Sequence, residues 1–400
     1  LQTTKVERMI RDIFESEFTS YKDALVDVAK KMYSSINFAV ESFNPVINFG
    51  LSGGVDSRVL LALCLKSPKI MERLCINTNV HPSRARDLEI VTALSKRFGF
   101  TFNDKELKKS MVKEVDAESI TIPNTLGFWI LSSLGVYDSF YLDPSYWNNP
   151  SVMHMIGVGA EPVKQMMDVG RISWRAKREI PLVRETVIAL MSEAVLSMGI
   201  EPDSPDAMKY HHMAFKATHH IGRGVARSCM ILRPFVQQSV FAISMYEDNP
   251  FKGLPAKGPS VLHDLLIILN PDLAVQPFDV EWKDVSFEYV TERLEILGGV
   301  LDVEAMPEPA IYGKLQDIRN GPADSFMNAV AHLEWKDERP HKEQLVDIIT
   351  KYYDSAEDEE YVELYKKCFD TAIEWLNDDK TVIAYGGALA SRFLMLELLD

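Results

Sequence analysis

The sequence predicts an α/β fold, a parallel sheet with flanking helices, joined to a largely helical C-terminal half. Three observations carry this. An apolar, strand-like run over residues 45–51 meets a glycine turn, Ser52-Gly53-Gly54-Val55-Asp56-Ser57, and then a helical pattern over Val59-Leu60-Leu61-Ala62-Leu63. A second strand-and-helix pair follows at once, which argues for right-handed βαβ crossovers and a parallel sheet. Beyond about residue 172, helical patterns run on with no further clear β/α alternation.

In chain order, the first forty or so residues carry helical spacing, with Met9, Ile10, Ile13 and Phe14, then Tyr21, Leu25, Val28 and Ala29 on one side. After the glycine turn and its helix, residues 73–80 read as the second strand. Ser83 is expected to cap a helix through Arg97, with Leu88, Val91, Leu94 and Phe98 at core spacing. Phe100-Thr101-Phe102 reads as a third strand. Residues 105–150 are aromatic-rich, with Phe128, Trp129, Tyr137, Phe140, Tyr141, Tyr146 and Trp147 forming either core or a substrate-pocket wall. Residues 152–156 then read as a strand running into a second glycine turn, Gly157-Val158-Gly159-Ala160-Glu161.

Composition excludes several functions. The 400 residues are 46% hydrophobic with a formal net charge of -15. Such a length buries a sizeable core in one large or two moderate domains. Net acidity opposes non-specific attraction to RNA or DNA, so nucleic acid is not the expected partner. The best apolar run, Leu265-Leu266-Ile267-Ile268-Leu269, is short and flanked by Asp264 and Asn270, so no membrane span is expected. Lys5, Glu7, Arg8, Arg11, Asp12 and Glu15 interrupt any N-terminal targeting core, which makes a cytoplasmic location the expectation. Cys64, Cys75, Cys229 and Cys368 form no Cys-x-x-Cys pair and read as reduced thiols rather than disulfides or zinc ligands.

A strand, a glycine turn and a helix N-terminus together make a phosphate cradle. Glycines let backbone N–H groups approach closely, and unsatisfied first-turn amides add positive potential. ATP is the expected ligand. The spacing excludes a Walker loop, which needs Gly-x-x-x-x-Gly-Lys before Ser or Thr. It also excludes the dinucleotide fingerprint, because neither Gly157-Val158-Gly159 nor Gly222-Arg223-Gly224 supplies the third glycine. Parallel sheets bind ligands at the carboxyl ends of their strands. The first strand ends at residues 52–57 and the second at Asn77 to Val80.

The run Ser52-Gly53-Gly54-Val55-Asp56-Ser57 resembles the PP-loop, Ser-Gly-Gly-x-Asp-Ser, of the ATP pyrophosphatase superfamily. Three more stretches resemble the synthetase half of the asparagine synthetase family, which includes β-lactam-forming synthetases and lasso-peptide cyclases. One is the helix with Asp87 and Glu89 that ends Leu94-Ser95-Lys96-Arg97-Phe98-Gly99. Another is the second glycine turn, similar to the family's Gly-Glu-Gly-Ala-Asp-Glu. The last is residues 222–235, ending Arg233-Pro234-Phe235. The resemblance spans residues 45–265 as one ATP-binding domain, with a helical segment over 1–44 before it and a helical region over 266–400 after it. It implies an adenine nucleotide α-hydrolase-like fold. It also implies an ATP-dependent amide or lactam synthetase, a carbon–nitrogen ligase that activates a carboxylate as its acyl-adenylate and releases pyrophosphate and AMP.

By this resemblance Ser52, Gly53, Gly54 and Ser57 hold the pyrophosphate part of ATP, and Asp56 holds Mg²⁺. Asn77 and Val80 contribute to an adenosine pocket, and Gly157 and Gly159 belong to the nucleotide-binding set. Glu161 stands where the family has Asp, with a longer reach, and Pro162 replaces the next acid. Mg²⁺ accepts one or two carboxylates plus phosphate oxygens, so Asp56 with Glu161 suits it. The family's Glu and Arg before Pro-Phe appear as Met230 and Leu232, with Arg233 one position from the expected basic site. A downstream lysine that stabilises charge as the adenylate is attacked is matched by Lys257 or by Lys252. The chain starts at Leu1 and its first cysteine is Cys64, so no glutaminase domain is expected. The expected partners are then a small-molecule or peptide carboxylate and an amine: free ammonia, ammonia from a partner protein, or an amine on the substrate.

Two other readings stand beside this one. Other PP-loop enzymes modify tRNA or nucleobases, against which stand the net acidity and the lack of cysteine pairs. A nucleotide-binding protein without catalysis fits the departures at Glu161-Pro162 and Met230. The histidines His211, His212, His219 and His220 are too far apart along a helix to share one metal and read as scattered polar groups. Arg171, Arg175 and Arg178 share a predicted helix face, either solvated or guiding an anion.

Overall fold

The computed structural model describes Glu15 and residues 17–107, 152–164, 172, 181–216, 230–254, 257–302, 341–354 and 362–377. The expectations placed on Met9 to Phe14, the aromatics between 128 and 147, Arg171, Arg175, Arg178, His219, His220 and residues 222–229 lie outside them.

Helix α1 (Tyr21–Phe43) begins where the Ser20 side chain accepts a hydrogen bond from the Asp23 N–H and ends at Asn44, whose φ of 47° closes the last turn. Its buried residues Ala24, Leu25, Val28, Ala29, Met32, Ile36 and Val40 recur every three or four positions, the spacing of one helix face. Strand β1 (Val46–Gly50) buries Ile47 and Phe49 and leaves Val46 and Asn48 half-buried, a period of two. Helix α2 (Val55–Cys64), the short α3 (Pro68–Met71), β2 (Leu74–Asn77) and α4 (Ala85–Phe98) follow. Further along come β3 (Val152–Met155), α5 (Pro181–Leu196), α6 (Ala207–His211) and β4 (Met230–Leu232).

The four strands form one parallel sheet in the order β2-β1-β3-β4. β1 pairs with β2 from Ile47 opposite Leu74 to Gly50 opposite Asn77, and with β3 from Val46 opposite Val152 to Phe49 opposite Met155. These registers bring the carboxyl ends of the three strands to one edge.

Helices α7 (Gln238–Met245), α8 (Val261–Leu269), α9 (Pro271–Ala274) and α10 (Phe287–Ile296) complete this part of the chain. Every residue of α8 is buried, which explains the apolar run 265–269: it packs against α1, α2 and α10 as a core helix. Truncating one of its leucines to Ala costs about 2–5 kcal/mol. Asp264 on α8 is fully buried, yet paired with Arg293 of α10 through Nε–H to Oδ1 at 2.9 Å and Nη2–H to Oδ2 at 2.7 Å. The Tyr21 hydroxyl of α1 donates to Asp264 Oδ2 at 2.9 Å, so one carboxylate ties three helices together. Burial and the nearby Asp264 carboxylate raise the Tyr21 pKa well above the phenol range, which keeps it a donor.

The chain divides into two compact units: Leu1–Lys109 with Ser151–Ile221 and Ile231–Leu315, and Ser110–Pro150 with Gly222–Met230 and Gln316–Asp400. In the first unit α1, the sheet and α8 to α10 share one core. In the second unit, α11 (His341–Asp354) and α12 (Val362–Asn377) pack with Tyr353 stacked on Phe369, ring centroids 4.3 Å apart.

Two local expectations are corrected. Phe100-Thr101-Phe102 is not a strand: the segment reaches β2 only through Asn103 N–H to Ile76 O at 2.8 Å, and Asn103, at φ 54°, turns the chain away from further pairing. Nor does Ser83 cap α4. The helix follows Arg84 with no side-chain cap bond, and His81 instead caps the 3-10 turn Pro82–Arg84 that leads into it, its Nδ1 accepting from the Ser83 N–H at 3.2 Å. Among the described residues, no helix is long and apolar enough to cross a membrane.

Candidate functional site

The order β2-β1-β3-β4 reverses direction between β1 and β3, and crevices of parallel sheets open at such reversals. Both glycine turns emerge there, one from β1 and one from β3. A Cβ placed on Gly157 would stand 3.2 Å from the Asp56 Cβ, so the two turns are in contact.

The first turn is braced by its own hydroxyls. Ser57 Oγ accepts from the Ser52 N–H at 3.2 Å and lies 3.1 Å from Ser52 Oγ, which accepts from the Gly54 N–H at 3.2 Å. Gly54 is the residue from which α2 springs, with Asp56 in the first helical turn. Gly53 is held from two sides: its N–H donates to Asp87 Oδ1 at 2.8 Å and its carbonyl accepts from the Asp279 N–H at 3.0 Å. A Cβ there would meet Asp279 Cβ and Ile90 Cδ1 at 2.9 Å, so only glycine fits.

Charges surround this turn in pairs. Lys164 Nζ contacts the Asp56 carboxylate. Lys283 Nζ binds both Asp279 oxygens, at 2.8 and 3.0 Å. Burial pushes the Lys164 ammonium down to about 8, with repulsion from Lys283 adding and Asp279 opposing; contact with the Asp56 carboxylate works toward the charged form. Arg58, one residue past the motif, is fully buried. It donates through Nη1 to Gln276 O and Nη2 to Pro277 O, both at 2.6 Å, and lies 3.8 Å over the Phe278 ring. Burial lowers its pKa to about 10, against the pull of Asp284 and Asp279, so it stays charged at neutral pH. By gripping residues 276–278 it sets Asp279 against Gly53.

The second turn is shaped by close approach. Gly159 has φ +103°, and a Cβ on it would meet Val236 Cγ2 at 2.8 Å and Phe235 C at 3.1 Å. Its N–H donates to Glu161 Oε2 at 2.8 Å. Glu161 therefore spends one oxygen on its own turn. Arg233 sits half-buried in the turn after β4, its pKa lowered by burial. That turn also carries Phe235 and Val236, so the Pro-Phe segment meets the second glycine turn.

At the end of β2, the Asn77 amide N–H group donates to Asn48 Oδ1 at 2.8 Å and Cys75 O at 3.0 Å, and Asn48 in turn meets His154 Nδ1 at 3.3 Å. Asn77 Oδ1 and Thr78 Oγ1 are buried with no hydrogen-bond partner. Such atoms cost free energy unless a ligand or water satisfies them, and both can accept from an amino group. Val80, by contrast, is 67% exposed. Lys257 is exposed in the turn before α8, and Lys252 Nζ donates to Met245 O at 3.0 Å at the end of α7. The lysines gathered at the crevice are Lys164 and Lys283, which motif matching missed. Asp279 and Arg58 were missed as well, and Asp87 was noticed without its role at Gly53.

Among the described residues, no group of three or more His, Cys, Asp or Glu side chains gathers as a metal site. Mg²⁺ is commonly held by one or two carboxylates and phosphate oxygens, and the two carboxylates that could serve are Asp56, now on Lys164, and Glu161, now on the Gly159 N–H. The unpartnered acceptors at Asn77 and Thr78 and the glycine turns fit a nucleoside polyphosphate. No protein-family model matches the chain, and comparison with curated proteins finds no significant match.

Proposed function

We propose that the protein is an ATP-dependent carbon–nitrogen ligase of the PP-loop type, on an adenine nucleotide α-hydrolase-like fold. It converts a carboxylate into its acyl-adenylate with release of pyrophosphate, and an amine then displaces AMP to give an amide or lactam. The observation that supports this most is the contact between the Ser52–Ser57 turn and Gly157 where the strand order reverses.

In this reading the substrate carboxylate oxygen attacks the α-phosphorus of ATP, and the bond to the bridging oxygen of the β-phosphate breaks. Ser52, Gly53, Gly54 and Ser57 receive the departing pyrophosphate, whose charge the turn and the α2 N-terminus stabilise. Asp56 and Glu161 would hold Mg²⁺, which would supply neutralising charge for the phosphates. Asn77 Oδ1 and Thr78 Oγ1 accept from the adenine amino group. The Arg58 strap holds Asp279 and thereby Gly53 in place, so the turn need not reorganise on binding.

The test is pyrophosphate release from ATP across a panel of amino acids, small acids, peptides and bulk tRNA. Release with an acid or peptide supports the ligase, and release only with tRNA points to nucleic-acid modification. Asp56→Asn should abolish release; retained turnover would disprove the Asp56 assignment. A second reading, nucleotide binding without catalysis, is favoured by the pairing of Asp56 with Lys164 and of Glu161 with Gly159. ATP binding with no pyrophosphate release under any substrate would establish it.

A further inference from the structure

We propose that Lys164 is a phosphate-binding residue, held on Asp56 in the free protein and exchanged onto a polyphosphate oxygen when the nucleotide arrives. This rests on the nucleotide-binding reading above and adds a residue to it. Lys164 closes the 3-10 turn Glu161–Lys164, directly after the second glycine turn, with its backbone N–H fixed to Ala160 O at 3.1 Å. Its side chain is 22% exposed, and that of Asp56 is 21% exposed, so the pair lies inside the crevice mouth rather than on the open surface.

Charge balance argues for the exchange. Asp56, Asp87 and Asp279 all border the first turn, and each is already answered by a cation: Lys164 at Asp56, Arg84 at 3.9 Å from Asp87, and Lys283 with the buried Arg58 nearby at Asp279. Without rearrangement, a polyphosphate entering there would find these cations already engaged by carboxylates. Lys283 grips both oxygens of Asp279, whose backbone is itself bonded to Gly53, so moving it would disturb the turn. Lys164 has a single carboxylate oxygen to leave and a four-carbon stem on which to swing. Exchanging one charge-assisted bond for another costs little, and it frees Asp56 for a divalent cation.

The test titrates inorganic pyrophosphate calorimetrically into the full chain with chelator present, so that no divalent metal contributes. Lys164→Met should weaken binding by about tenfold or more, whereas Lys164→Arg keeps it within severalfold. Asp56→Asn, which releases the ammonium, should tighten metal-free binding severalfold more in the native background than in Lys164→Met, where only the carboxylate's own repulsion is removed. That coupling is a readout a merely structural ion pair would not give. Circular dichroism checks each variant for folding, with Lys164→Gln replacing Lys164→Met where the latter fails. Equal binding by wild type and Lys164→Met, or an Asp56→Asn effect no larger in the native background than in Lys164→Met, overturns the proposal while leaving the nucleotide reading intact. A wild type that binds neither pyrophosphate nor ATP overturns both.

Discussion

The α-carbon of Gly157 lies so close to Asp56 that a side-chain carbon on it would stand 3.2 Å from the Asp56 Cβ. The contact joins a turn after β3 to a helix that starts after β1, across about a hundred residues of sequence. A methyl group there needs a shift of a few tenths of an ångström, and a branched side chain needs more. Gly157→Val should therefore displace Asp56, cutting pyrophosphate release by about tenfold or more, since small misplacements of catalytic groups cost that much. Gly157→Ala should fall between the two. Steady-state pyrophosphate release measures the series, and equal rates for all three would show that the Gly157–Asp56 approach is not used.

Gly159 faces a different constraint, because its φ of +103° lies where side chains strain the backbone and its Cβ position is already occupied by Val236 and Phe235. Gly159→Ala should lose about 2–4 kcal/mol, combining backbone strain with overpacking. Urea unfolding gives the value, and a loss below about 0.5 kcal/mol, the scale of an ordinary surface change, would refute the close packing.

Arg58 fills two carbonyls and an aromatic face at once. Lysine keeps the charge but has neither the planar fork nor the flat stacking surface. Arg58→Lys should cost about 2–4 kcal/mol in urea unfolding, with one buried carbonyl left unsatisfied. Hydrogen exchange at the Asp279 amide, which bonds to Gly53 O, should speed up in the same variant. Unchanged exchange there would mean that Arg58 does not hold the strap.

The parts of this arrangement that sequence made legible are those set by local pattern. The alternation in Val46–Gly50, the Gly53-Gly54 turn and the helical run after it mark β1, the turn and α2, because each depends on residues within a few positions. The ion pair 56–164, and the contacts of Gly53 with residues 87 and 279, leave no such mark. They arise only when the sheet brings distant turns together. Phe100-Thr101-Phe102 shows the converse: its aromatic alternation mimics a strand, while Asn103 removes the pairing. Asn48 and Asn77 carried a usable signal, since polar amides inside apolar strand runs on adjacent strands have to find partners, and they found each other.

His263 provides a pH-dependent term. Its Nδ1 accepts from the Ser260 N–H at 3.1 Å, completing a capping box at the start of α8, which leaves Nε2–H to donate to Lys283 O at 3.0 Å. Only the neutral ring can do both. Burial, with Arg58 and Lys283 nearby, pushes its pKa down to about 4 even though the Lys283 carbonyl pulls upward. The unfolded chain, with an ordinary histidine near 6.5, then binds the proton more readily between those two values, so stability rises with pH there. The contribution is complete above about pH 6.5 and is lost as pH falls toward 4, amounting to about 3 kcal/mol in all. His263→Gln keeps an acceptor for the capping box but cannot take up a proton. Urea unfolding of both proteins from pH 7 to pH 4 should show the wild type losing its advantage over His263→Gln as the pH falls. Parallel curves would mean that His263 is not held neutral in the fold.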